Sequence, residues 1–251
     1  MEFIYQNYLN TTSAISCGSG TITNQYLFDL DDDLSWSTIG NNDDLTSTVV
    51  TISFAATSAV DRICIKNHNL KQFRVFYNGA TANTFTPDIN YTQNSDTSSY
   101  FSVTQVNATS VSFQLDKTIT ADQEKSIGEL ILSRVGVSFE RAPNASGYKP
   151  QIRRKSINHK MSDGGIIQHV IADKWEAKLK YKFIGSDFHD DLYSFYTLLK
   201  PFIFTPFPTN SSWDGISKTV NWIGNFKYYN YSSENPNSGY TIDINLQEIA
   251  N

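Results

Sequence analysis

Paired carboxylates, histidines, cysteines and clusters of oxygen donors are the groups in this sequence that could do chemistry. Asp43 with Asp44, and Asp190 with Asp191, are adjacent carboxylates. Glycoside hydrolysis needs two carboxyl groups facing one another across a cleft, and neighbours on a loop or a helix turn do not meet that requirement. Asp31, Asp32, Asp33, Asn41, Asn42, Asp43 and Asp44 gather oxygen ligands of the kind calcium takes from flexible loops. Without an EF-hand spacing they read as Asx turns and loop solvation. Calcium is the one ion the composition suggests, and no cofactor is expected. Cys17 and Cys64 read as two free thiols, and the four histidines show no ligand spacing with them or with each other. There is no nucleophile elbow, phosphate-cradling glycine loop or dinucleotide fingerprint. The chain is therefore expected not to be an enzyme.

The 251 residues contain 39% hydrophobic, 14% aromatic and only 18% charged positions. This balance suits a turn-rich β protein of two domains. The net charge of −5 is unevenly spread. Residues 1–135 carry 7 Lys+Arg against 14 Asp+Glu, a balance of −7, and residues 136–251 carry 13 against 11, a balance of +2. That asymmetry can steer copies or partners together but lacks the strongly basic balance of a nucleic-acid binder. No signal-peptide pattern and no 18-residue apolar run appears, so a product soluble in the cytoplasm where it is made, with no membrane span, is expected.

Positioning elements follow in order. Met1 to Asn24 reads as an arm that either covers the first domain or reaches a neighbour. VVTISF from Val49, VDRICIK from Val60 and QFRVFYN from Gln72 alternate with period two, as do YFSVTQV, SVSFQLD and SIGELILSRVGVSF later. They predict an antiparallel β-sandwich over residues 1–140. Arg141 to Lys155, with two prolines, a glycine and a basic cluster, reads as a linker. Its Arg153, Arg154 and Lys155 are candidate inter-subunit contacts, suited either to acidic loops of another copy or simply to solvent. A second domain over 156–251 starts with a hairpin turning at Ser162-Asp-Gly-Gly. Trp175-Glu-Ala-Lys-Leu-Lys-Tyr-Lys-Phe then predicts a strand with one buried and one wet face. Phe188, Leu192, Phe195, Tyr196 and Leu199 form one stripe of a helix over 187–200, capped by Ser186 or Asp187 and stopped by Pro201. The fold class expected is all-β with one main helix: a sandwich, then a small β-barrel with the helix packed on it.

The run Trp36-Ser-Thr-Ile-Gly-Asn-Asn-Asp-Asp, the stretch Val60 to Tyr77 with its Asn67-His-Asn-Leu turn, and Ile127-Gly-Glu-Leu-Ile-Leu resemble the discoidin-like jelly rolls of phage tail and baseplate proteins. Such domains often bind glycans or membranes through loops at one end. The resemblance thus implies ligand contact for Trp36, His68 and Tyr91, while their residue types equally fit a core-facing tryptophan and turn residues. Gly164-Gly165, the strand from Trp175, the helix Phe188 to Leu199, Pro201-Phe-Ile-Phe-Thr-Pro, the Trp213 to Trp222 hairpin and Leu246-Gln-Glu-Ile resemble the hub domain of phage distal tail proteins. In that family the hub comes first; here the jelly roll does. The resemblance implies a structural virion protein, assembled in the host cytoplasm into a ring at the distal tail or baseplate. Its partners would be copies of itself, tube, tip or fibre proteins, and a host glycan. The alternative reading is a carbohydrate-binding module or adhesin acting through the jelly-roll loops.

Overall fold

The computed structural model describes residues 1–249 except 19, 22, 32–33, 80–88, 140–142, 144–146, 209–216 and 231–238. In chain order its strands are β1 Glu2–Ile4, β2 Ala14–Cys17, β3 Gly20–Thr21, β4 Trp36–Ile39, β5 Thr48–Lys66, β6 Leu70–Tyr77, β7 Ile89–Tyr91, β8 Ser99–Thr118, β9 Ser126–Ile127, β10 Glu129–Ser133 and β11 Val135–Ser138. They continue with β12 Tyr148–Lys160, β13 Ile166–Ile184, helix α1 Ser186–Tyr196, β14 Phe202–Thr205, β15 Lys218–Trp222, β16 Lys227–Asn230 and β17 Tyr240–Glu248. A 3-10 turn spans Asn24–Leu27. The pairings are antiparallel, so the chain is all-β with one α-helix among the described residues.

The chain divides into two compact units. The sandwich unit holds Glu2–Gly136 and Ile203–Ser217; the hairpin unit holds Met1, Val137–Phe202 and the chain from Lys218. This corrects the expectation of sequential domains, because the segment after Pro201 returns to the first core. Phe204 meets Phe3 edge-on at 5.8 Å, and Ile203 joins Ile4, Cys64 and Ile131 in one buried cluster. The polypeptide expected to be an arm supplies β1, paired with β14, and β2, paired with β5.

In the sandwich unit one sheet runs β10-β5-β8-β6-β7, and β3-β4-β9 forms a second. Trp36 and Ile127 of the small sheet share a core with Ile63, Ile65, Phe73 and Val75 of the large one, which makes two layers. The alternation of Ile63 and Ile65, and of Phe73, Val75 and Tyr77, therefore points inward as the sequence predicts. Two pairs of expected strands are each one long strand. VVTISF and VDRICIK fuse into β5, and YFSVTQV and SVSFQLD fuse into β8; the register slips between Ser53 and Ser58 and again between Val60 and Arg62. Ala55-Ala56-Thr57-Ser58 contains no glycine, proline or asparagine to turn the chain, so irregular pairing absorbs the interruption.

In the hairpin unit β17 lies between β13 on one side and β15 and β16 on the other, and β12 pairs the far edge of β13. Ala177, Leu179 and Tyr181 are buried while Lys178, Lys180 and Lys182 are exposed, the alternation expected from Trp175 onward. Helix α1 buries Leu192 and Phe195 and sets Phe188 against Phe139 and Tyr181. It ends at Tyr196, short of the expected residue 200. Thr197 donates its hydroxyl to the Ser194 carbonyl, and Leu199 has φ +49. Leu199 is consequently exposed rather than part of the apolar stripe. Gly185 occupies the cap position without a side-chain hydrogen bond.

Candidate interaction surfaces

Residues 148–155, expected within a linker, belong to β12. Beyond Trp175, among the described residues, β13 pairs only with β12, since β17 engages β13 from Glu176 onward. The outer part of this hairpin is thus a two-stranded ribbon, and at about 3.3 Å per residue it reaches roughly 25 Å past the three-stranded part. The turn is the expected one: Met161 N–H donates to Gly165 O at 2.7 Å, and Gly164, at φ +87, takes the left-handed conformation that glycine allows. Isolated ribbons of this kind are marginal in water, yet this one exposes Ile157, Met161, Ile166, Ile167, Val170 and Ile171, with Ile166 at 69%. A register shift after Lys155 lets apolar residues fall on both faces: Ile157 and Ile167 with His159 and His169 on one, Ile166 and Val170 on the other.

The basic cluster expected to contact other subunits lies at the base of this ribbon. Arg154 makes a two-pronged ion pair with Asp173, at 2.7 Å and 2.9 Å, and Arg153 lies 3.5 Å from Glu176. Lys155, opposite Ala172 in the ladder, is exposed. Intramolecular carboxylates therefore already engage two members of the trio.

The residues expected to contact a ligand are placed differently. Trp36 is 0% exposed and donates its indole N–H to Asn24 Oδ1 at 3.2 Å. His68 is 2% exposed; its Nδ1 accepts from Leu70 N–H at 3.1 Å and its Nε2 lies 2.9 Å from Ser99 Oγ. Neither presents a surface to a ligand, and both do what core residues do. Half-buried Tyr91 stacks on Phe73 at 5.6 Å and meets Phe101 edge-on at 5.9 Å. His68 and Tyr91 both meet the Phe73 ring, and Trp36 belongs to the buried core that contains Phe73.

Burial pushes the His68 imidazole down to about 4. Its neutral form is the one the fold holds, so its contribution to stability is complete above the ordinary histidine value of about 6.5 and is lost as pH falls toward 4. An NMR titration of the His68 ring is expected to show a midpoint near 4. A midpoint near 6.5 would mean that the ring is open to solvent.

Asp32 and Asp33 of the expected calcium cluster, Trp213 of the expected hairpin, and Arg141 and Ala142 at the start of the expected linker lie outside the described residues. Asp43 and Asp44 of the cluster accept hydrogen bonds from nearby backbone and hydroxyl groups. Asp43 Oδ1 accepts from the backbone N–H of Leu45 and Thr46 at 2.9 Å and 2.6 Å, and Asp44 Oδ1 accepts from Thr118 N–H and hydroxyl at 3.0 Å each. Lys125, wholly buried, donates its ammonium to the Asp43 carbonyl at 2.9 Å. Among the described residues no group of three or more His, Cys, Asp or Glu side chains is arranged to hold a metal ion, and no helix is long and apolar enough to cross a membrane.

The chain matches no protein-family model and no curated protein. It is similar to several solved structures. Chitosan-binding module 1 of a chitosanase/glucanase from Paenibacillus sp. IK-5 aligns with 51% of this chain and 98% of its own, at 11% identity and a TM-score of 0.41. CpGH89CBM32-5 from Clostridium perfringens, in complex with GalNAc-β-1,3-galactose, aligns with 48% of this chain and 94% of its own, at 12% and 0.40. A Ruminococcus gnavus GH29 fucosidase in complex with fucose aligns with 52% of this chain and 27% of its own, at 12% and 0.43.

Proposed function

We propose that this protein is a structural subunit that assembles with copies of itself through the β12–β13 ribbon. The finer form of this reading is a ring at the distal end or baseplate of a phage tail, joining the tail tube to fibres or tip proteins, as the resemblance of residues 150–251 to tail hub domains implies. The observation that carries it is the ribbon itself. A two-stranded element with exposed isoleucines on both faces and an edge of β12 that no other described strand pairs costs solvation free energy in an isolated chain. Docking against a neighbour removes that cost, either by adding strands to the open edge or by burying the isoleucines. Pro150 lies opposite Ala177 on β12, where an edge strand tolerates a residue without a backbone N–H. The opposite charge balances of the two halves of the sequence favour unlike ends meeting between copies.

The test is the mass of the purified full chain in solution over a wide concentration range, joined to negative-stain imaging. Closed rings, or a defined oligomer that dissociates on dilution, are the expected result. The alternative function is a carbohydrate-binding module or adhesin, and the similar solved structures include proteins described as sugar-binding. A chain that stays monomeric at every concentration and is retained by immobilised chitosan or a galactose-containing glycan overturns the assembly reading in favour of that alternative.

A further inference from the structure

The outward face of the hairpin unit's sheet carries more positive charge than its own carboxylates offset. Lys149 stands directly opposite Lys178, and Arg153 opposite Lys174. Lys180 is next along the same face of β13. Like charges directly opposed across strands are unfavourable, so two such pairs, one on each side of the Gln151–Glu176 rung, mark a face suited to negative charge. Its own carboxylates are Glu176, which lies near Arg153, and Asp243, 3.6 Å from Lys180. A groove of about 830 Å³ opens on this unit, lined by Arg153, Glu176, Lys178 and Gln247 and flanked by the exposed Ile223.

The sandwich unit holds a feature of opposite character. Leu45, at 97%, is the most exposed large apolar residue of those described. It sits at the tip of the turn Asp43–Thr46. That turn is rigid, because Asp43 accepts from Leu45 and Thr46, Asp44 N–H donates to Asp122 Oδ1 at 3.1 Å, and Lys125 holds the Asp43 carbonyl. Beside it, Glu124 accepts from Gly40 N–H at 3.0 Å. The partners of these four carboxylates are backbone N–H groups and hydroxyls, which fix the geometry without neutralising the charge. Lys125, through the Asp43 carbonyl, sets one cation beside them.

We propose that the groove receives the turn Asp43–Thr46 of a second copy of the chain, with Leu45 entering against Ile223 and the flanking carboxylates meeting Lys149, Arg153 and Lys178. The inference rests on the self-assembly reading and names a second contact between copies, beside that of the ribbon. The contact is head-to-tail, so it repeats from copy to copy and yields a closed ring when the rotation closes, or a filament otherwise. A preformed turn docks with little ordering cost. Complementary charge sets the encounter and the register, which makes the association sensitive to salt.

A charge exchange between copies tests it. Leu45→Lys places a cation on an exposed tip, and Lys178→Glu reverses the charge of an exposed groove residue; neither touches a core. Each variant alone is expected to associate about tenfold more weakly than wild type in sedimentation velocity. An equimolar mixture is expected to recover, because the Leu45→Lys tip then meets the Lys178→Glu groove while the unaltered tip meets the unaltered groove. Wild-type association by both variants separately overturns the docking site and leaves the ribbon reading standing. Loss in both without recovery in the mixture also overturns it, and wild type that is monomeric throughout overturns both. Binding of a DNA oligonucleotide that Lys178→Glu abolishes, with association unchanged, assigns the face to a polyanion instead.

Discussion

Glu2→Gln is expected to lower the unfolding free energy by about 3 kcal/mol or more, the range found when one partner of a buried ion pair is removed. Glu2 accepts from Arg62 Nε at 2.7 Å and Nη2 at 2.9 Å, and from the Tyr100 hydroxyl. The side chains of Arg62 and Glu2 are 10% and 9% exposed. Burial acts to raise the Glu2 carboxyl, but the Arg62 and Tyr100 hydrogen bonds and the Arg62 charge outweigh it and hold the group below its ordinary 4.5. A lowered carboxyl contributes stability that is fully present above 4.5 and is lost as pH falls through the folded value. Glu2→Gln should therefore flatten the acid limb of a stability profile below about 4.5. The limb between about 6.5 and 4, where His68 acts, should stay as it was. Asp61, whose carboxyl burial pushes upward, works in the opposite sense and does not mimic the effect. Denaturant titrations at several pH values check both points. The double variant Glu2→Gln/Arg62→Met should lose less than the two single changes together, since it removes both members of the Glu2–Arg62 pair, while Asp61, 3.5 Å from Arg62, keeps the hydrogen bond it accepts from Val135 N–H. Equal acid sensitivity in wild type and Glu2→Gln would place the carboxylate outside the network.

Where one face of a strand is buried and the other wet, the sequence was readable. Trp175 to Lys182 is the clearest case, and the fold keeps its alternation until Phe183, whose φ of +58 accompanies a break in the pairing with β17. The ribbon defeated the same reading for a physical reason. Both its faces meet solvent, so Lys149 to Lys155 carries no apolar period, and proline, glycine and arginine there imitate a linker. The destination of Phe202 to Thr205 was equally hidden, because a run of apolar residues shows that it is buried without showing in which core. Phe3 and Ile4, almost two hundred residues away, supply the answer through the β1–β14 pairing. At the candidate ligand positions, residue type misled. Trp36 and His68 carry polar atoms that suit recognition, and the fold spends those atoms on Asn24, Leu70 and Ser99 inside the sandwich unit. The turn at Leu45 gave a partial signal: an acidic Asx cluster was legible as a turn, but the exposure of the leucine at its tip required the fold.

Replacing Ser156–Ile171 by Asn-Gly is expected to weaken self-association by at least roughly 100-fold, the scale on which a few central apolar anchors govern an interface. The junction is set by the ladder: Lys155 and Ala172 are paired neighbours, so a two-residue type I′ turn closes the shortened hairpin in register. The residues removed are exposed or half-buried and bury no core, and the thermal midpoint should stay within a few degrees of wild type. Ile157→Asp and Ile166→Asp separate the two faces of the ribbon, because the register after Lys155 puts Ile157 opposite His169 and Ile166 opposite Lys160. A loss confined to one of them identifies the face that a neighbour covers. Comparable losses in both mean that the ribbon is wrapped, as expected of an arm inserted between subunits. Association that survives the truncation would remove the ribbon from the assembly and leave the basic groove as its remaining candidate. A truncated chain that melts well below wild type would show instead that the ribbon supports its own fold.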